Sequence, residues 1–339
     1  MRVIAIAPSS IMIKIGLFGA GHLGKIHMQQ WLKVNTAQLV GFYDPDDHAA
    51  AQAMEQYPVK RFESISELIA AVDAVDVVTS TTAHFAIAKQ VLQQGKHLFI
   101  EKPLANTLEE AKELVTLVNE AGVKCQVGHV ERYNPAFLAL EHQKLQPMFI
   151  EAHRLAQFNP RGTDVSVILD LMIHDIDVVL HLVKSPVKRI SASGVSVMSD
   201  TADIANARIE FDNGCVANLT SSRLSLKKMR KIRLFQRDAY IGIDFLEQKT
   251  EVIRLKEDGA PAGMMDFPIE LANGDKKIIS VEMPEVAPGN AINAELSEFA
   301  DAIIQDKPVR VSVHDGYNAM DIAHQILKKM SAHREMHNV

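Results

Sequence analysis

Cysteine is almost missing from this 339-residue chain, which holds only Cys125 and Cys215. The two lie far apart in unrelated contexts, so the sequence offers neither a disulfide framework nor a CxxC metal site, and a reducing compartment suits it. Long hydrophobic runs are missing too: no stretch reaches the roughly 20 apolar residues of a membrane span. Residues 1–15 are apolar in part but lack the hydrophobic core and cleavage site of a signal peptide. Residues 1–11 read as an extension before a natural-looking start at Met12. Neither sign of charge dominates, with 36 Lys and Arg against 42 Asp and Glu and a formal net charge of -6. With no dominant basic block there is no electrostatic ground for nucleic acid or an anionic membrane as partner. Internal repeats and low-complexity segments are absent as well. These exclusions leave a cytoplasmic protein whose partners are small molecules.

What is present is the composition of an ordinary globular enzyme, 47% hydrophobic and 23% charged, in a chain long enough for two domains. From residue 13 to 128, short β-rich apolar runs alternate with helical patterns, the signature of βαβ units and a parallel sheet. Strands are expected at 13–18, 39–43, 59–62, 74–79, 97–100 and 124–127, with helices such as 84–94 and 108–121 between them. Thr107 with Glu110 three positions on forms a capping-box signature for the latter helix, and Gly122 ends it. Beyond Asn134 the pattern changes. One short helix, a strand near 149–154 and a helix over 169–183 precede strand-like runs at 190–197, 204–211, 215–222, 231–237 and 239–245. Turn residues such as Asp212-Asn213-Gly214 separate them, as in an antiparallel meander. Helices at 291–304 and 315–329 close the chain. The fold class is therefore α/β, a Rossmann dinucleotide-binding domain over 12–130 followed by an α/β domain over 131–339 with a large, mostly antiparallel, open-faced sheet.

The turn Gly19-Ala20-Gly21-His22-Leu23-Gly24 directly follows a strand and opens a helical pattern, the context in which GxGxxG carries weight. Gly19 allows the tight turn, Gly21 admits a pyrophosphate close to the backbone, and Gly24 lets helix pack on strand. With His22 and Leu23 they form the candidate phosphate cradle at the positive end of the helix. Asp44 ends the next strand twenty positions after Gly24, where a carboxylate accepts hydrogen bonds from ribose hydroxyls. It repels a 2′-phosphate, so NAD is the expected cofactor. Asp-Pro at 44–45 is also an ordinary turn signal.

Two further segments, GKHLFIEKP at 95–103 and DLMIHDID at 170–177, join GAGHLGKIH at 19–27 and GHVERYNP at 128–135. Together they resemble the Gfo/Idh/MocA oxidoreductases over most of the chain. The resemblance implies that Lys102 of the EKP segment faces nicotinamide and substrate, with Glu101 beside the cofactor. It likewise implies a catalytic pair, Asp170 and His174, on a helix of the second domain. TSTTAH at 79–84 is similar to the family's TPNxxH stretch under the cofactor, with Ser80 and Thr81 in place of Pro and Asn and with His84 retained. Met172 stands where many members have glycine, as does Ala239-Tyr240 after the penultimate strand. Among members, GHVERYNP is most similar to bacterial enzymes acting on nucleotide-linked amino sugars, including oxidation of UDP-N-acetylglucosamine at C3. Arg132, Tyr133 and Arg161 are then candidates for substrate binding, the arginines for its diphosphate.

The residues support the same reading on their own. Asp170 and His174 are four positions apart and share a helical face. Histidine suits proton abstraction near neutral pH, and a carboxylate can orient it. Lys102 follows the C-terminal end of a parallel strand, where open α/β sheets place ligands. No metal is expected: Asp175 points away from the Asp170–His174 face, and His333 and His337 sit in a tail expected to fray. The basic residues Lys227, Lys228, Arg230, Lys231 and Arg233 read as a solvated strand edge, the alternative being that they help hold an anionic substrate. The alternatives are a dehydrogenase of free sugars or cyclitols, and a nucleotide-binding regulator that keeps the fold without the chemistry. A homodimer or homotetramer is expected across the open face of the second-domain sheet.

Overall fold

The computed structural model describes residues 12–159, 165–257, 265–270 and 272–337. The chain divides into two compact units: residues up to His129 with Ile292–Tyr317, and Val130–Ala291 with the residues from Asn318 onward.

In the first unit, β1 (Ile13–Phe18), α1 (His22–Trp31), β2 (Ala37–Tyr43), α2 (Asp47–Gln56), α3 (Ile65–Ala71), β3 (Ala74–Val77), α4 (Thr81–Gln93), β4 (His97–Glu101), α5 (Leu108–Ala121) and β5 (Cys125–Gly128) follow one another. The five strands form a parallel sheet in the order β2-β1-β3-β4-β5. β1 is flanked by β2 on one side and β3 on the other, so the order reverses there and opens a crevice at the C-terminal ends of β1 and β3. β3 is buried along its whole length, as a central parallel strand must be. The α5 capping box is complete on both sides, and Gly122 caps the far end with φ 62°. The run at 59–62 forms no full strand: Lys60 and Phe62 bond to Phe42 alone, as an isolated bridge at Arg61.

In the second unit, a 3₁₀ turn (Val130–Tyr133) leads into α6 (Pro135–Leu138), β6 (Phe149–Leu155), a π-helical turn (Ile168–Met172) and α7 (Ile173–Val183). The strands β7 (Val187–Val195), β8 (Ile204–Phe211), β9 (Val216–Ser222), β10 (Met229–Phe235), β11 (Ala239–Asp244), β12 (Lys249–Glu257), β13 (Asp266–Glu270) and β14 (Lys276–Glu282) follow. They build a nine-stranded sheet ordered β13-β14-β12-β11-β10-β6-β9-β8-β7, antiparallel except where β6 pairs β9. Strict alternation of buried and accessible residues in β6 and β8 puts one face in the core with α7, through Ile150, Ala207, Leu219, Ile232, Ile176 and Val179. The opposite face is accessible and mixed. Phe235 packs on Phe149 and Tyr240 there, among the ion pairs Arg233–Glu151 and Lys231–Asp244. β10 is an interior strand, so Arg230, Lys231 and Arg233 lie within the sheet rather than on the edge expected for them, and Lys227 and Lys228 precede it.

α8 (Ala291–Ile304) and α9 (Val313–His337) end the chain. All but the first residue of α8 returns to the first unit, where Leu296, Phe299 and Ala300 are fully buried in its core and Phe299 meets Phe99 edge to face. Gln126 of β5 donates to the Glu295 carbonyl, and Val127 donates its N–H to Val311. No helix among the described residues is long and apolar enough to cross a membrane.

Candidate functional site

The glycine turn is built from three different steric demands. Gly19 has φ 100°, and a Cβ there would lie 2.7 Å from the Val78 carbonyl oxygen. A Cβ on Gly24 would lie 1.9 Å from the Gly19 carbonyl oxygen, so the first turn of α1 closes on the loop only without a side chain. Gly21 meets nothing within 4 Å and leaves open space over the backbone. It is the N-cap of α1, which has no side-chain cap and no acid in its first turn, so the amides of His22, Leu23 and Gly24 remain for an anion. Asp44, just beyond β2, accepts the Ala20 N–H at 2.6 Å through Oδ2 and the Asp46 N–H at 2.8 Å through Oδ1. Its carboxylate is thus anchored to the turn itself. Open backbone at Gly21, uncapped helix amides and a fixed carboxylate fit the diphosphate and ribose of NAD.

The other loops at this end of the sheet lie beside the same crevice. Ser80 is the N-cap of α4 and Thr81 its first residue; the Ser80 hydroxyl reaches Thr82 at 3.2 Å rather than the helix amides. His84 does not present a free ring. It is buried, with Nδ1 3.0 Å from the Pro103 carbonyl and Nε2 3.2 Å from the Thr79 carbonyl, and ties the loop after β3 to the one after β4. Burial lowers its pKa despite those carbonyls. Glu101 ends β4 and Lys102, half-buried, follows it with a cis bond to Pro103. Glu101 accepts the Lys102 backbone N–H at 3.1 Å and lies 3.4 Å from Nε2 of His27, whose Nδ1 meets Asp76 at 2.9 Å. Burial opposes charge on both groups. The two carboxylates nevertheless lift His27 to about 10, and His27 with Lys102 holds Glu101 below the usual carboxylate range.

In the second unit, Asp170 and His174 lie on one continuous helical run, but it is not all α: Asp170 sits in the π-helical turn and His174 in the first turn of α7. Such turns recur at functional sites because they re-aim side chains within a helix. Asp170 is exposed and His174 half-buried. Asp175 faces inward, where Arg154 of β6 grips it with contacts down to 2.7 Å and reaches Glu131 at 2.8 Å. Burial pushes Asp175 above the ordinary carboxylate range in spite of the Arg154 guanidinium.

Two expected substrate residues are corrected by this geometry. Arg132 is not on a loop facing a cleft. It is buried and bidentate to Asp177 at 2.7 and 2.9 Å, with His181 on its remaining nitrogen. Tyr133 is 1% exposed, too enclosed to meet a substrate. Arg132 ties the 3₁₀ turn to α7 through Asp177. Arg161 lies outside the described residues. In the basic run, Lys231 and Arg233 are neutralised by Asp244 and Glu151, and Arg230 stands 3.7 Å from Glu131.

The His27–Asp76–Glu101 group was not singled out from the sequence. Its signal was there: an acid inside the apolar strand β3 must be paired when buried, and His27 closes the glycine motif.

Comparison with known proteins agrees with both units. The model of the oxidoreductase family with an NAD-binding Rossmann fold, GFO_IDH_MocA, matches residues 13–129, and the GFO/IDH/MocA C-terminal domain matches 144–241. UDP-N-acetylglucosamine 3-dehydrogenase of Acidithiobacillus ferrooxidans is 35% identical over 302 residues, covering 88% of this chain and 91% of that protein. Its crystal structure superposes with a TM-score of 0.85 at 34% identity, covering 95% of this chain and 98% of the other. The scyllo-inositol 2-dehydrogenase (NAD(+)) of Bacillus subtilis is 28% identical over 232 residues, 63% of this chain and 68% of that one. A levoglucosan dehydrogenase in complex with NADH and L-sorbose shares the fold, with a TM-score of 0.81 at 18% identity over 94% of this chain and 97% of the other. With two family domains in order and a relative at that identity along nearly its whole length, the chain belongs to the Gfo/Idh/MocA family of NAD-binding oxidoreductases.

Proposed function

We propose that this oxidoreductase converts a secondary hydroxyl of a nucleotide-linked amino sugar to a ketone with NAD as acceptor, UDP-N-acetylglucosamine oxidised at C3 being the first candidate. The observation that carries the reading is the 35% identity to a UDP-N-acetylglucosamine 3-dehydrogenase along 91% of that protein. When bound, NAD supplies a nicotinamide ring that accepts hydride from the substrate carbon. The chain's residues handle the proton and the charge. A ring nitrogen of His174 takes the hydroxyl proton, the Lys102 ammonium donates to the oxygen as negative charge develops on it, and Asp170 orients the imidazole. Gly21 and the amides of His22, Leu23 and Gly24 hold the cofactor diphosphate, and Asp44 holds its adenosine ribose. Ser80, Thr81 and Glu101 border the cofactor. Arg161 remains the candidate for the substrate diphosphate.

The same reading places the enzyme in the cytoplasm, in line with two free, buried cysteines. It also makes it a homodimer or homotetramer joined across the open sheet face, where Leu155, Met229, Tyr240 and Met283 line a groove of about 870 Å³ and the Phe235 ring packs against Tyr240. The test is incubation with NAD and a panel of nucleotide sugars, free sugars and cyclitols, following nicotinamide absorbance and product mass. A product two hydrogens lighter than UDP-N-acetylglucosamine is expected. Turnover of free cyclitols with none of any nucleotide sugar would overturn the substrate class.

A further inference from the structure

The first unit buries more charge beneath the EKP turn than the turn itself uses. His27 of α1 has no exposed surface, yet it lies between a carboxylate of β3 and one at the end of β4. Asp76 receives the Trp31 indole N–H at 2.7 Å in addition to the imidazole. Glu101 faces His27 on one side and the Lys102 backbone N–H on the other, with Gly128 of β5 closing the space around its carboxyl group. A side chain on Gly128 would put its Cβ 2.6 Å from Glu101 Oε1, so β5 gives this carboxylate room at the cost of its own side chain. The Lys102 ammonium and His84 on α4 also lie within electrostatic reach of Glu101. A lone buried carboxylate under a cofactor would be costly, and an isolated buried imidazolium equally so. Paired, they form a run from α1 through β3 to the residue that precedes Lys102.

We propose that His27 is a positioning residue for the reaction: set between Asp76 and Glu101, it fixes the carboxylate that holds the Lys102 backbone N–H, and so aims the turn that carries the lysine. The inference rests on the reading of Lys102 as the cation at the reacting oxygen. It differs from a packing role in what it predicts. A ring that only fills space is replaceable by phenylalanine, whereas a ring that holds Glu101 must carry positive charge, because Nε2 faces Glu101 Oε1 at 3.4 Å as an ion pair and not as a hydrogen bond. Misaiming a reacting group by about 1 Å costs on the order of 10² in rate.

The test uses the full chain, with His27→Phe, Glu101→Ala, Glu101→Gln, the double variant His27→Phe/Glu101→Gln, and Lys102→Ala as reference. In the ligand-free protein, histidine ring ¹⁵N shifts should show both His27 nitrogens protonated through neutral pH, and Glu101→Gln should lower the pKa at which one is lost. With the substrate found in the panel above, His27→Phe should lose about 10² in kcat near neutral pH while KM and NAD affinity stay within a few-fold. Its residual turnover should rise with pH, as Glu101, buried without an imidazolium, ionises late. The double variant should have no such rise. Wild-type turnover in His27→Phe, a loss with no pH dependence, or a His27 ring that titrates near its ordinary value would each overturn the proposal. Should His27→Phe fail to fold, the glutamate pair decides: Glu101→Gln, which keeps an acceptor for the Lys102 N–H, should recover most of the turnover that Glu101→Ala loses, and equal activities overturn the proposal. If Lys102→Ala is itself active, the reading of Lys102 falls first; an inactive Lys102→Ala beside a normal His27→Phe refutes the inference alone.

Discussion

Gly21 and Gly24 stand three positions apart in one turn and should fail differently when given a methyl group. Gly24→Ala drives a Cβ into the Gly19 carbonyl at 1.9 Å, so the turn must shift and both melting temperature and NAD affinity should drop. Gly21→Ala meets no protein atom, so it should melt like the wild type and lose NAD affinity only, because the methyl takes the space reserved for the diphosphate. Thermal unfolding with and without NAD checks this; equal loss of melting temperature in both variants would refute it. For the chemistry, His174→Ala and Lys102→Ala should each lose on the order of 10²–10⁴ in turnover with NAD affinity intact, and Asp170→Asn should lose less if it only orients the ring. Near wild-type turnover in His174→Ala would remove it as the base. At Asp44, whose carboxylate is already bound to Ala20 and Asp46, a 2′-phosphate finds negative charge with no freedom to swing away. Dissociation constants should therefore favour NAD over NADP, and tighter NADP binding would contradict the assignment.

Contacts between elements explain what the sequence left illegible. The glycine turn, the EKP segment and the Asp170–His174 pair are local patterns, so spacing alone marks them. The partners of Arg132 and His27 lie 45 and 49 residues away, which is why Arg132 reads as a free substrate cation when it is locked to Asp177, and why His27 draws no notice. Most strands were visible as alternation, but β12 to β14 were not. In Lys249–Glu257 charged residues crowd the run, and Val252 is fully buried while Ile253 and Leu255 stay accessible, so the apolar positions do not alternate cleanly. The buried pairs carry two stability predictions. Arg132→Ala strands Asp177 without its cation, at about 3–5 kcal/mol, and should lower stability in urea rather than raise KM for a nucleotide sugar selectively. A selective rise in KM at unchanged stability would restore the arginine to the substrate. His27 has its pKa raised from 6.5 to about 10, so its contribution is fully present below pH 6.5 and lost as pH rises through about 10. Unfolding free energy should fall across that window with a slope of at most ~1.4 kcal/mol per pH unit from this one proton, and the slope should vanish in His27→Phe. A wild-type stability flat across the window would contradict the assignment of His27 as a buried cation.

For the whole molecule, the nine-stranded sheet covers one face with helices and leaves the other mixed, with aromatic rings among paired charges. Sedimentation velocity over a range of concentrations should find a dimer or tetramer, and Tyr240→Glu on the open face should shift it toward monomer without unfolding it. A concentration-independent monomer would leave that face without its proposed partner. The path of the chain has a consequence of its own. The NAD-binding unit takes Leu296, Phe299 and the Val311 backbone contact from the end of the sequence, after the whole second sheet has been made. On a ribosome adding roughly 5–20 residues per second, the glycine turn therefore waits about 15–55 s between its own emergence and that of the helix that completes its core. Through that interval the nascent Rossmann unit shows an apolar flank to solvent, so a chain stalled before α8 should be held by chaperones and cut by proteases, while one released after Tyr317 should be protected. Cofactor capture in the cell is then tied to completion of synthesis, and a message truncated near its 3′ end yields a protein that fails first at its N-terminal domain.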